Sequence, residues 1–87
     1  MMKKLAIEAI GTFFLVLTIA LTGNPIPIGL ILEALVYMGG YISGAHYNPA
    51  VTIGLLISKK ISQQLAFRYI TVQMLGALVA AWTYSII

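Results

Sequence analysis

The sequence predicts an all-α membrane protein: three transmembrane helices plus one short re-entrant half-helix. Three observations carry that reading. The 87 residues are 61% hydrophobic and only 8% charged, with a mean hydropathy of +1.02, whereas soluble domains are about a quarter charged. Too little polar surface exists to close a globular core, so lipid is the solvent for most side chains. Three apolar runs each approach the roughly 20 residues that a membrane-crossing helix requires. Between the second and third lies a polar stretch, SGAHYNPAV at residues 43–51, leading into an apolar piece too short to cross.

The length supports one domain, residues 1–87. The first span covers residues 5–22, 18 residues with a single acid, Glu8. Lys3 and Lys4 before it, and the apolar run from Phe13 to Leu21, also suit a cleaved signal peptide. Glu8 interrupts that pattern, and Ala20-x-Thr22 is a weak cleavage site. Gly23-Asn24-Pro25 is a turn signal. It opens the second span, residues 25–42, which contains Glu33. The third span covers residues 62–87, with Ser62 as its expected N-cap.

Residues 48–57, NPAVTIGLLI, form the fourth piece. Asn48 suits an N-cap and Pro49 the first helical position, while Lys59 and Lys60 suit the negative end of the helix dipole. Ten residues rise about 15 Å, half of a ~30 Å hydrocarbon core. The piece carries no charge, so it fits poorly as a surface helix with a charged face. If it re-enters, the run SGAHY must reach mid-depth with unpaired backbone groups. Such backbone is tolerated only where protein buries it or a water-filled cavity receives it.

Charge orients the chain. Lys3, Lys4, Lys59, Lys60 and Arg68 all fall on one side of a three-span topology, while TGNPIP and the tail TYSII carry none. The positive-inside rule then places the N-terminus in the cytoplasm and the C-terminus outside, across a plasma (inner) membrane. The scattered cations form no nucleic-acid stripe. With no Cys, one His and two acids on different spans, no constellation supports catalysis, a metal site or a cofactor.

The segment SGAHYNPAVT resembles the first NPA motif of the aquaporins and aquaglyceroporins, the major intrinsic protein family. IEAIGTFFLVL (7–17), MGGYISGAHYNPAVTIG (38–54) and VQMLGALVAA (72–81) resemble that family's first helix, second helix with its loop, and third helix, in order. The resemblance implies a channel that passively conducts water or small neutral solutes such as glycerol. It also implies that the chain matches one of two inverted repeats. Asn48 would donate hydrogen bonds from its side-chain amide to the passing solute. Pro49 and Ala50 would contact the other repeat's half-helix. The carbonyls of Gly44, Ala45, His46 and Tyr47 would form an acceptor ladder, and the backbone of His46 would matter more than its imidazole. Cations are resisted by the positive helix ends. Ile28 would occupy a position of the outer selectivity filter.

Glu8 has two readings. As an interfacial group it pairs with Lys4, four residues earlier; in the family it accepts hydrogen bonds from the re-entrant loop, with Gln73 as a second support. Gly11, Gly76, Ala77, Ala80 and Ala81 read as packing residues; Gly76-x3-Ala80 and Ala77-x3-Ala81 form small-residue ridges. Glu33 is five residues beyond Ile28, about 140° around the helix, and points away from the pathway. No second NPA follows, and Val51 stands where the family's second repeat has an Arg. The expected partners are therefore the bilayer, the solute and a second repeat, supplied by a longer or split protein or by another copy. The competing classes are a non-conducting half-channel and, less favoured, a small proton-coupled exporter using Glu8 or Glu33. An exporter lacks a half-helix opened by NPA.

Overall fold

The computed structural model describes residues 1–87 and consists of four helices with no strand. They are α1 (Met2–Thr22), α2 (Pro25–Ser43), α3 (Pro49–Ile57) and α4 (Gln63–Ile86). Three of them, α1, α2 and α4, are long and apolar enough to cross a membrane. α1 begins before the apolar run that starts at Leu5, because Met2, Lys3 and Lys4 are good helix formers with exposed side chains. Hydropathy marks where hydrocarbon begins, and a helix is free to extend past it.

Each helix boundary has a local cause. α1 stops at Gly23, whose left-handed backbone (φ 54) lets its N–H donate to the Ile19 carbonyl at 2.9 Å. Asn24 then caps α2 by accepting from the Ile26 N–H at 2.9 Å, with Pro25 at the first helical position. Ser62 caps α4 by accepting from the Leu65 N–H at 3.2 Å. α3 ends in a Schellman arrangement: Lys60 N–H donates to the Leu55 carbonyl at 2.8 Å and Lys59 N–H to that of Leu56 at 3.0 Å. Lys59 takes the left-handed conformation there, with φ 62.

α1 is the central helix, packed against both α2 and α4, and α3 rests on α4. A Cβ at Gly76 would overlap the Ala9 carbonyl oxygen, so the α1 and α4 backbones touch at that point. Ala80, one turn later, is fully buried. The second small-residue ridge takes no comparable part, since Ala77 is half-buried and Ala81 exposed.

The molecule measures 37 × 23 × 21 Å, its long dimension exceeding a hydrocarbon core of ~30 Å. Its outside is apolar, with Phe14, Leu30, Leu78 and Trp82 all exposed. Polar groups are inside. Of 13 buried residues, Glu8, Thr12, Ser43, Thr52 and Gln73 are polar or charged, an inversion that suits lipid outside and a hydrogen-bonded centre. Arg68 shares a surface groove with Met1, Met2 and Leu5. The cation-bearing start of α4 therefore lies at the same end as Lys3 and Lys4.

Candidate functional site: a loop held by a buried carboxylate

The site begins with where α3 starts. Thr52, in its first turn, accepts a hydrogen bond from Gln73 Nε2 at 2.9 Å. Gln73 lies about 15 Å along α4, a helix roughly 36 Å long. The N-terminal end of α3 is therefore near mid-height, and its nine residues return about 14 Å toward Lys59. This is a re-entrant half-helix. Asn48 caps it, Oδ1 accepting from the Ala50 N–H at 2.7 Å, and Pro49 opens it. That cap bond fixes the amide orientation, so the Asn48 NH2 faces outward as a donor on an exposed residue.

Residues 44–48 carry the chain to that depth, and every N–H of residues 44–47 is tied inward. Gly44 donates to the Gly40 carbonyl at 3.0 Å and Ala45 to Ser43 Oγ at 3.1 Å. His46 donates to Glu8 Oε2 at 3.1 Å and Tyr47 to Glu8 Oε1 at 2.8 Å. In a trans peptide the carbonyl points opposite to the next residue's N–H. The carbonyls of Gly44, Ala45 and His46 are thereby turned away from Glu8 and Ser43. None of the carbonyls of residues 44–47 accepts a hydrogen bond from the chain. The loop is one-sided: donors in, acceptors out.

Holding it this way takes strained backbone. Ala45 (φ 56) and Tyr47 (φ 55) are left-handed without being glycine, at roughly 1–2 kcal/mol each. Two amide bonds to a charged acceptor return about 1.5–3 kcal/mol apiece, enough to offset the strain. Glu8 itself is fully buried. Its two oxygens also accept from Ser43 Oγ at 2.7 Å and Gln73 Nε2 at 2.8 Å. Lys4 is exposed and is not among its partners, so the interfacial ion-pair reading of Glu8 is replaced by a buried, four-donor site.

Side chains lock the loop further. The Tyr47 ring, 2% exposed, lies between α1 and α2, and its hydroxyl donates to the Leu35 carbonyl at 2.6 Å. A Cβ at Gly11 would overlap that ring, and one at Gly39 its hydroxyl. The packing at Gly11 is thus with a loop side chain. Tyr69 of α4 donates to the Ser43 carbonyl at 2.6 Å and meets the His46 ring edge-on, centroids 5.1 Å apart. His46 Nδ1 lies 2.9 Å from Thr52 Oγ1.

A family profile described as Major intrinsic protein matches residues 19–87. The chain belongs to the major intrinsic protein family. Nodulin-26 of Glycine max is 34% identical over 99% of this chain and 37% of its own length. Aquaporin Z of Bradyrhizobium diazoefficiens is 38% identical over 92% of this chain and 40% of its own. Aquaporin Z of Photorhabdus laumondii is 36% identical over 93% and 42%. The chain therefore spans about two-fifths of the length of these relatives.

Family membership and the three apolar helices make the chain an integral membrane protein. Within this major intrinsic protein repeat, Glu8, Gln73 and residues 44–47 come together. Asn48, Pro49 and Ala50 follow directly as the start of α3. Ile28 does not join them: it is half-buried near the other end of α2, about 22 Å along the helix from Ser43. Glu33 is exposed beside Val36, Tyr37 and Tyr41. Ser43, Thr52, Tyr69 and the side chain of Tyr47 carry no role that sequence reasoning predicts. Gly11 and Gly39 were the available signal for Tyr47. Nothing in the sequence singled out Tyr69.

Proposed function

We propose that this chain is one repeat of a channel that passively conducts water or small neutral solutes such as glycerol. One observation carries the reading: residues 44–47 turn their amides into the protein and leave their carbonyls unpaired. Backbone of this kind at mid-depth requires a water-filled cavity or protein against it, and a row of acceptors replaces the hydrogen bonds that a moving solute gives up. Asn48 NH2 and the positive end of α3 supply donors at the row's inner end and oppose cations. Glu8 and Gln73 act as supports. Pro49 and Ala50 abut a second half-helix, and Ile28 contributes to the outer constriction.

The channel is completed by a second repeat, as the chain's two-fifths coverage of its relatives supports. The remainder of a longer or split protein is the favoured source, because five cations on one side oppose the dual insertion that an antiparallel pair of copies requires. The N-terminus is cytoplasmic and the C-terminus outside. The test is stopped-flow swelling of proteoliposomes, first with this chain alone and then with a second repeat supplied. Swelling on completion with no Na⁺ or K⁺ current is the expected result; an ion conductance comparable to an open cation channel would overturn it. A chain silent in both conditions would be a non-conducting half-channel.

A further inference from the structure

The backs of α1 and α4, turned away from the loop, form a groove with a single charge at one end. Its first part lies between Leu5 on one wall and Arg68 and Val72 on the other. In the next part Ala9 and Phe13 face Gly76 and Val79. Leu5, Ala9 and Phe13 are four residues apart, as are Arg68, Val72 and Gly76. Residues at that spacing share one helix face, so the two parts are successive turns of one groove. Each holds about 370 Å³, the size of a ligand cleft. Gly76 makes the floor, where the two backbones touch. Arg68 is the only charged residue lining either part, and Thr71 the only other polar one. The Thr71 hydroxyl is already spent on the Phe67 carbonyl at 2.9 Å.

Arg68 is half-buried, and the chain's two acids are both placed elsewhere. Glu8 is buried under four donors, and Glu33 lies on α2 beside Val36 and Tyr37. Arg68 stands about 8 Å along α4, which at roughly 36 Å outruns a ~30 Å hydrocarbon core. Its guanidinium is therefore at the headgroup boundary, with its stem on the apolar wall. From Arg68 to Val79 the groove runs about 16 Å, close to the ~15 Å depth of one leaflet. We propose that this groove binds one anionic phospholipid from the leaflet on the Lys3 side. Its phosphate pairs with Arg68, and one acyl chain lies between the Leu5–Phe13 and Val72–Val79 rows. A guanidinium binds phosphate through two parallel hydrogen bonds. Exposed Lys3 and Lys4 at the same end favour a net negative headgroup over a zwitterion. A second copy of the chain fits less well, since it brings no free acid to the depth of Arg68. A second repeat belongs on the opposite side: Arg68 is five residues from Gln73 and Phe13 five from Glu8, each about 140° around its helix.

The test places the full chain in phosphatidylcholine bilayers with a small fraction of a photoactivatable phospholipid. That lipid carries a diazirine at the end of one acyl chain and either a phosphatidylglycerol or a phosphatidylcholine headgroup. After illumination, peptide mass spectrometry should find phosphatidylglycerol attached around Phe13 and Val79, several-fold more than phosphatidylcholine. Arg68→Gln should lower the phosphatidylglycerol labelling about fivefold, the effect of one cation at a membrane surface, and leave phosphatidylcholine unchanged. Arg68→Lys should recover only part, because an ammonium lacks the paired donors. Lys59→Gln with Lys60→Gln removes twice the charge outside the groove and should leave the labelling nearly as it was. Val79→Trp fills the inner end of the groove and should displace labelling from Phe13 with either headgroup. Equal labelling by the two headgroups would overturn the proposal. So would a loss from the Lys59 and Lys60 pair as large as that from Arg68→Gln, which marks diffuse attraction. Labelling that disappears when a second repeat is supplied would show that protein covers the groove, and would overturn it as well. Swelling plays no part in these measurements, so a chain that fails to conduct leaves the lipid site standing.

Discussion

The chain contains the dipeptide Asn-Pro twice, and the two copies are locally alike. Asn24 and Asn48 each cap a helix through Oδ1, accepting from the N–H two residues on at 2.9 and 2.7 Å, and each is followed by a proline at the first helical position. What precedes them differs. Before Asn24 the chain reverses through exposed Gly23 with no buried partner. Before Asn48 it runs through four residues whose amides are all bonded inward, two of them to Glu8. A capping dipeptide starts a helix. A buried acceptor is what turns the approach to that helix into a one-sided polar surface.

The largest effect that tests this contrast is expected at Glu8. Glu8→Ala removes the acceptor of two loop amides and two side chains, stranding buried donors at about 1–3 kcal/mol each. Thermal unfolding in detergent should lose most of its stability margin. Asn24→Ala should cost only about 1 kcal/mol. Equal losses would remove the distinction between the two regions. A smaller but opposed pair of effects is expected at two glycines of α2. Gly39→Ala collides with the Tyr47 hydroxyl, and overpacking of this kind costs about 1–3 kcal/mol. Gly29 has no atom within 4 Å of an added Cβ, so Gly29→Ala should stabilise α2 by about 0.5–1 kcal/mol.

The two caps themselves offer a finer comparison. Asn48→Ala and Asn24→Ala should each cost about 1 kcal/mol in unfolding, yet only Asn48→Ala should change swelling rates in completed channels. A permeability change of the same size from Asn24→Ala would show that capping alone, and not the exposed amide, is being measured. Smallest is the end of α3. Lys59 is left-handed at φ 62, so Lys59→Gly should raise stability by less than about 1 kcal/mol, read as a small upward shift of the thermal midpoint.

The spans were legible because lipid acts on side chains one at a time, so an apolar run is visible without knowing what it packs against. The start of α3 was legible for a similar reason: an Asn cap followed by proline is a local instruction. The partners were not. Thr52 reaches Gln73 across 21 positions and Tyr69 reaches Ser43 across 26, and such contacts depend on how three helices are rotated against one another. Glu8 was a suspect because an acid within a span needs a partner, but two readings fitted its neighbours in sequence until its burial removed Lys4. Gly11 looked like a helix-contact glycine; the atom that fills its space comes from a loop 36 residues away.

The loop's anchors also impose an order of assembly. Glu8 is in α1, Ser43 ends α2, and Gln73 and Tyr69 belong to α4. A nascent chain emerging in order can bury α1 and α2 early, yet the binding place for residues 44–57 lacks its far wall until Gln73 has entered the bilayer. Until then this segment has a charged anchor on one flank and open lipid on the other. It should wait near the headgroups and sink only after the third crossing helix arrives, so the stretch synthesised in the middle of the repeat is the last to reach its final depth.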